Sequence, residues 1–232
     1  MTLAIFDLDN TLIAGDSDYL WGQFLVERGI VDRRHYEQAN ERFYDDYRDG
    51  RLDIDAFLQF ALKPLSENDA EQLHQWRQDF IEECIRPILL PAARELLDIH
   101  RKLGHTLMVI TATNRFVTEP IAGLYGVDEL IATVPEFEEG RYTGRYLGVP
   151  CFQSGKVTRL QAWLHEHQRT LRDSWFYSDS HNDRPLLECV TNAVAVDPDV
   201  HLKALAEQRG WPLLSLRSGR CPEDHKDRLS HL

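Results

Sequence analysis

The stretch Leu3-Ala4-Ile5-Phe6-Asp7-Leu8-Asp9-Asn10-Thr11-Leu12 decides how the chain is read. Four apolar residues run straight into the polar string Asp7 to Thr11, the pattern of a short buried strand that delivers side chains to the edge of a sheet. Comparable apolar runs recur at Thr106 to Ile110, Leu130 to Val134, Ser174 to Tyr177 and Ala193 to Val196. Amphipathic stretches lie between most of them. Pro91 to Leu103 places Ala93, Leu96, Leu97 and Leu103 on one helical face, and Lys156 to His167 does the same with Val157, Leu160, Trp163 and Leu164. Strands alternating with helices predict an α/β fold with a Rossmann-like parallel sheet.

One segment interrupts the alternation. Between Ala14 and Ile88 the periodicity is helical throughout, over Tyr19 to Gly29, Arg33 to Asp49, Asp53 to Leu62 and Asp69 to Ile85, with Gly29, Gly50 and Pro64 as punctuation. An all-helical insertion directly after the first strand reads as a cap. Expected boundaries are therefore a core of residues 1–13 and 89–217, and a helical cap of residues 14–88. Around Glu139-Gly140, short alternating segments predict a β-hairpin within Pro135 to Leu147. The segment 218–232 is polar and aperiodic, and is expected to be a mobile tail.

The chain has 232 residues, with 38 acidic against 26 basic side chains and a net charge of −12. Such a charge opposes the nucleic-acid backbone and anionic lipid, so neither nucleic acid nor membrane is an expected partner. Cys84, Cys151, Cys189 and Cys221 lie too far apart for a zinc ribbon or a redox pair, as suits isolated thiols in a reducing compartment. There is no apolar run of membrane-spanning length, and the N-terminus lacks the basic region of a signal peptide. A cytoplasmic protein is expected.

Polar residues gather where the strands end. Asp7, Asp9 and Thr11 follow the first run, Thr111 and Asn114 the second, and Asp179, Asn182 and Asp183 the fourth, while Lys156 opens a helix. In an open parallel sheet, ligands bind beyond the carboxyl ends of the strands. Several carboxylates with one lysine and a hydroxyl make a site for a hard cation and a phosphate, because oxygen ligands suit Mg²⁺ and Mg²⁺ pairs with phosphate oxygens. Each element also has a plain structural reading, Thr111 as a turn residue, Lys156 as a solvated helix residue and Ser178 to Asp183 as a helix cap. Those readings must all hold together to displace the functional one.

The strings Phe6-Asp7-Leu8-Asp9-Asn10-Thr11-Leu12, Val109-Ile110-Thr111-Ala112-Thr113, Ser154-Gly155-Lys156 and Tyr177-Ser178-Asp179-Ser180-His181-Asn182-Asp183 resemble the motifs of the haloacid dehalogenase superfamily. The cap placement and Gly140-Arg141-Tyr142-Thr143-Gly144 resemble its phosphoserine-phosphatase-like branch, and the likeness runs from Leu3 to about Leu216. The resemblance implies a phosphomonoesterase in which Asp7 is the nucleophile and Asp9 the acid and base. It implies that Thr111 and Lys156 hold the phosphoryl oxygens, and that Mg²⁺ is bound by Asp7, the backbone carbonyl of Asp9 and Asp179, with Asp183 in support. Ala112, Asn114 and Asn182 belong by the same likeness to the substrate side. Dehalogenases and ion-pumping ATPases of the superfamily lack an aspartate at the place of Asp9, so a phosphatase is favoured.

The substrate turns on the cap. Phosphoserine phosphatases meet the substrate ammonium with an acid, whose place here is Asp16, and its carboxylate with a cap arginine, whose place falls near Ala61. Without that arginine a carboxylate has no bidentate partner. Asp16, Asp18, Tyr19, Trp21, Tyr44 and Tyr47 suit a cationic or heteroaromatic leaving group, although Tyr19 and Trp21 also read as cap core. The chain also resembles the bacterial histidinol-phosphatases of this branch, which makes a small phosphorylated metabolite, foremost histidinol phosphate, the expected substrate. A phosphoserine phosphatase is the alternative. A phospho-aspartate receiver module is the rival of another class, and the insertion and Asp9 count against it.

Overall fold

In the computed structural model, which describes residues 2–230, the strand read from Leu3–Phe6 lies at the centre of the sheet. This strand, β1, is flanked by two parallel neighbours, β2 (Thr106–Asn114) and β5 (Trp175–Ser178), with Ile5 paired to Met108 and Phe176. Successive side chains of a strand point to opposite faces. Leu3 and Ile5 accordingly join one apolar cluster with Met108, Ile110 and Phe176, while Ala4 and Phe6 join another with Leu107, Val109 and Tyr177. Burial on both faces explains why β1 reads as a continuous apolar run rather than an alternating one.

The sheet is completed by β3 (Glu129–Glu138), β4 (Arg141–Leu147), β6 (Asn192–Val196) and β7 (Leu213–Leu214), in the order β4-β3-β2-β1-β5-β6-β7. Only the β3–β4 pair is antiparallel, and its turn at Glu139-Gly140 has positive φ at both residues, as a two-residue hairpin requires. Helices α7 (Ser154–Glu166), α8 (Arg184–Leu187) and α9 (Val200–Arg209) cover the Leu3 face through Leu160, Leu186 and Leu202. Helices α5 (Pro91–Lys102) and α6 (Arg115–Tyr125) cover the other through Leu96, Leu97, Val117 and Ile121. The chain leaves β1 toward β2 on one side and returns to β5 on the other. That reversal opens a crevice at the carboxyl ends of the central strands.

The insertion after β1 consists of α1 (Ser17–Glu27), α2 (Arg33–Arg48), α3 (Ile54–Glu67) and α4 (Ala70–Phe80), the last continuing through a π turn, Ile81–Ile85, and a 3₁₀ turn, Arg86–Ile88. Asp16, Asp32, Asp53 and Asp69 cap the four helices by accepting main-chain N–H groups of the first turn. The sequence predicts an end to the third helix before Pro64, yet α3 runs on to Glu67, because Leu58, Ala61, Leu62 and Leu65 are buried on both sides of the proline. Packing on that face outweighs the one hydrogen bond the proline removes. Trp21, Phe24, Leu58 and Leu62 of the insertion share one apolar cluster with Leu96 and Val109 of the body.

Two further expectations need correction. The strand expected over Thr106 to Ile110 continues to Asn114, with a bulge that leaves Ala112 and Thr113 between the residues pairing to Ala132 and Thr133 of β3. The mobile tail expected over 218–232 contains instead a helix, α10 (Glu223–Ser230). Cys221, His225 and Leu229 are only 1%, 2% and 0% exposed. His225 and Leu229 share one face of α10 and Cys221 lies just before it, a pattern too short and too sparsely apolar to register as periodicity. His225 Nε2 lies 3.0 Å from the buried Tyr177 hydroxyl, the Cys221 N–H donates to Glu95 at 2.8 Å, and Lys226 pairs with Glu95 at 2.7 Å. His231 and Leu232 lie outside the described residues. A chain ending at Arg217 is expected to melt at least about 4 °C lower, since a fully buried leucine alone contributes about 2 kcal/mol. An unchanged melting temperature would show that α10 adds nothing to the body.

Among the described residues no helix is long and apolar enough to cross a membrane.

Candidate active site

Asp7 is the first residue beyond β1, where the main chain still follows the sheet, its N–H donating to the Tyr177 carbonyl at 2.9 Å. The chain then tightens, with Thr11, Leu12 and Ile13 N–H groups all turned to the Leu8 carbonyl and Asn10 at φ 56°. This turn brings two further side chains back over the strand ends. Asp9 accepts the Ser17 N–H at 2.7 Å on one oxygen, and the Thr113 and Thr111 hydroxyls at 2.8 and 3.4 Å on the other. The Thr11 hydroxyl lies 3.1 Å from Asp179 Oδ1, tying the first loop to the one after β5. Thr113 escapes sequence reasoning because it sits in the β2 bulge, and bulges beside active sites characteristically re-aim a side chain.

Lys156 is buried at the start of α7, with Nζ 2.8 Å from Asp7 Oδ1 and 2.7 and 2.8 Å from the two oxygens of Asp183. Its approach depends on Gly155, where a Cβ would come within 2.0 Å of the Pro150 carbonyl oxygen. Asp183 also accepts the Ser178 hydroxyl at 2.7 Å. The neighbouring Asp183 and Asp7 carboxylates hold the lysine ammonium firmly charged, above its ordinary range despite burial. Burial pushes the Asp7 carboxyl up to about 7, with Asp183 and Asp9 adding to the rise and Lys156 opposing it. Burial likewise raises Asp9, to about 6, helped by Asp16 and opposed by the Ser17 and Thr113 hydrogen bonds. Asp179 is raised well above the carboxylate range by burial and by the proximity of Asp7 and Asp183.

Too much negative charge is gathered here for one lysine. Lys156 reaches Asp7 and Asp183, while Asp179 receives only hydroxyl and main-chain donors. Among the described residues, no three His, Cys, Asp or Glu side chains form a ligating cluster. Of the four acids expected at a metal, the Asp9 carboxylate accepts from Ser17 and Thr113, that of Asp183 from Lys156 and Ser178, that of Asp7 from Lys156 through Oδ1, and that of Asp179 from the Thr11 hydroxyl. Mg²⁺ needs no more than one or two carboxylates, since it keeps several waters and takes the rest from phosphate. The hard oxygens and surplus charge fit such a cation.

Above the acids opens a cavity lined by Asp7, Asp9, Thr111, Lys156, Asp183 and a wall of insertion residues. Asp16, Ala112 and Asn182 line it as the sequence suggests. Asn182 also spans from the body to the insertion, donating to the Tyr47 carbonyl and accepting from Gln153, both at 2.9 Å. Asn114 is not among the lining residues, and its side chain accepts the Val117 N–H as the cap of α6. Tyr19, Tyr44 and Tyr47 face the cavity, whereas Trp21 is buried against Phe24 and Phe80 in the shared core. Phe43, Leu52, Ile54, Phe57 and Phe152 complete the apolar lining. They carry no sequence signal, being ordinary apolar positions of the helices and loops. Ala61 lies buried in α3, away from this lining.

A family model described as haloacid dehalogenase-like hydrolase matches residues 4–188. A histidinol-phosphatase of Neisseria meningitidis serogroup C is 46% identical over 219 residues, which cover 93% of this chain and 99% of that protein. A phosphoserine phosphatase of Mycobacterium tuberculosis is 30% identical over 220 residues, covering 94% of this chain and 71% of that protein. The crystal structure of a Bordetella pertussis Tohama I protein of unknown function superposes with a TM-score of 0.87 at 41% identity, over 93% of this chain and 100% of that one. With the match running from the central strand to the helix behind Asp183, this chain is an enzyme of hydrolase type and belongs to the haloacid dehalogenase-like hydrolase family.

Proposed function

We propose that this enzyme is a Mg²⁺-dependent phosphomonoesterase that works through an aspartyl-phosphate on Asp7, with histidinol phosphate as its substrate. The observation that carries the substrate is the charge of the cavity wall. Lys156 is the one cation among the described lining residues, and it stands at the phosphate end, beside Asp7 and Asp183. Nothing remains for a substrate carboxylate, which would face Asp16 and Asp18 beyond the phosphate end. An ammonium and an imidazole meet acids and aromatic faces instead. The relative that is 46% identical carries the same name as this reading.

The chemistry follows from the positions of the side chains. Asp7 Oδ attacks phosphorus in line, forming the acyl-phosphate bond as the ester P–O bond breaks. Asp9, whose carboxyl is raised to about 6 and lies on the insertion side, gives its proton to the departing alkoxide and the alcohol leaves. The Asp9 carboxylate then takes a proton from water, which attacks the same phosphorus, releases phosphate and regenerates Asp7. Lys156 and the Thr111 hydroxyl hold the non-bridging oxygens throughout. Asp7 and Asp179, with the Asp9 carbonyl, would hold Mg²⁺, whose charge lets an anionic nucleophile approach an anionic ester.

Phosphate release from a panel of monoesters tests the reading. Histidinol phosphate is expected to show a kcat/KM at least about tenfold above phosphoserine, a difference of about 1.4 kcal/mol in transition-state binding, and excess chelator is expected to stop both reactions. Equal or better turnover of phosphoserine would give the enzyme the activity of its 30% identical relative.

A further inference from the structure

We propose that Thr113 is the positioning residue of the acid and base Asp9: its hydroxyl holds Asp9 Oδ2 in place, so that this oxygen hands the proton to the leaving group and then takes one from water. The role rests on the phosphomonoesterase reading of the site and adds a residue to it. The two oxygens of Asp9 stand in different company. Oδ1 accepts the Ser17 N–H at 2.7 Å, a main-chain donor fixed by the start of α1 that cannot turn away. Among the described residues, the donors to Oδ2 are hydroxyls, those of Thr113 and Thr111, and both residues line the cavity with Asp9.

The two threonines look alike along β2 but differ in their bonds. Thr113 Oγ1 lies 2.8 Å from Oδ2, an ordinary hydroxyl–oxygen hydrogen bond, whereas Thr111 Oγ1 is 3.4 Å away, beyond that range, and itself accepts the Thr113 N–H at 3.3 Å. Thr111 is left to point its proton at a phosphoryl oxygen, and Thr113 is taken by the acid. The bulge in β2 sets Thr113 apart: Thr111 pairs with Ala132 and Asn114 with Thr133, which leaves Thr113 outside the ladder, and its side chain is buried, where little water competes for the bond. When Asp9 gives its proton to the ester oxygen, the P–O bond breaks, the alcohol leaves and Oδ2 is left with negative charge. A hydroxyl donating to that oxygen binds the anion more strongly than the neutral acid. The contact is thus stronger in the transition state than before it, which is the condition for a contact to raise the rate.

Thr113→Val keeps the shape and removes the donor. In the full-length protein, kcat/KM reports the steps through departure of the alcohol. It is expected to fall at least about tenfold for whichever of histidinol phosphate and phosphoserine the parent turns over faster, and less than about threefold for p-nitrophenyl phosphate, whose leaving group departs without a proton. Inhibition by inorganic phosphate is expected to be unchanged, since the lost bond is to Asp9 and not to the phosphoryl group. Thr113→Ser, which keeps a hydroxyl on the same Cβ, is expected to stay within about threefold of the parent on both esters. Equal or absent losses on the two esters in Thr113→Val, weaker phosphate inhibition in that variant, or a loss in Thr113→Ser as large as in Thr113→Val would each overturn the role. A parent that releases phosphate from no monoester would overturn the phosphomonoesterase reading and this role with it, whereas an active parent with equal losses overturns the role alone.

Discussion

Asp7→Asn is expected to lower kcat by about ten-thousand-fold or more, because no other group stands in place to form the covalent bond to phosphorus. The variant is also expected to be more stable than the parent in metal-free buffer at pH 8. The sign follows from burial. The Asp7 carboxyl is pushed up to about 7 in the folded chain, from an ordinary value of 3.8. A carboxyl raised on folding adds stability below its unfolded value and loses that contribution as pH rises through the folded one. At pH 8 the parent therefore holds a buried carboxylate that asparagine does not. The gain in melting temperature is expected to shrink toward pH 4 and, in the parent, to be offset by added Mg²⁺. A variant that melts lower than the parent at pH 8 would show that the ion pair with Lys156 outweighs the burial of Asp7.

Asp9→Asn removes the transferable proton and leaves the shape of the loop, since the amide oxygen still accepts the Ser17 N–H and the amide N–H₂ can donate to the Thr113 hydroxyl. Hydrolysis of an alkyl ester is expected to slow by at least about a hundredfold, the usual contribution of a positioned acid. An aryl ester such as p-nitrophenyl phosphate is expected to lose much less, because its leaving group departs without a proton. In the parent, the acid form of Asp9 predominates below about pH 6, so the limb of kcat/KM that it governs falls as pH rises through that value. Asp9→Asn is expected to lack this limb. Equal losses for alkyl and aryl esters would take the acid's role away from Asp9.

Much of this enzyme is legible along the chain because two of its signals are local. β1 reads as a strand since its four residues are buried on both faces, and Asp7, Asp9, Lys156, Asp179 and Asp183 are found because each follows a strand or opens a helix. A parallel sheet then brings strand ends together with no further information. The helices of the insertion are likewise visible in their periodicity and their aspartate caps.

Other features are set by contacts between residues far apart. Cys221, His225 and Leu229 look like a polar tail until Glu95 and Tyr177 are placed beneath them. Thr113 reaches Asp9 only because β2 bulges against β3, a register that depends on the neighbouring strand. Local sequence marks Asp16 and Asp18 as equal acids at a helix start. The fold separates them: Asp16 Oδ1 accepts the first N–H groups of α1, while the partly exposed Asp18 carboxylate lines the cavity without a donor among the described residues. Residue type and spacing thus specify which groups the chain has and where along its elements they stand. Which of them remain unpaired, and so open to a substrate, depends on desolvation and on donors from other elements, and these exist only in the folded molecule.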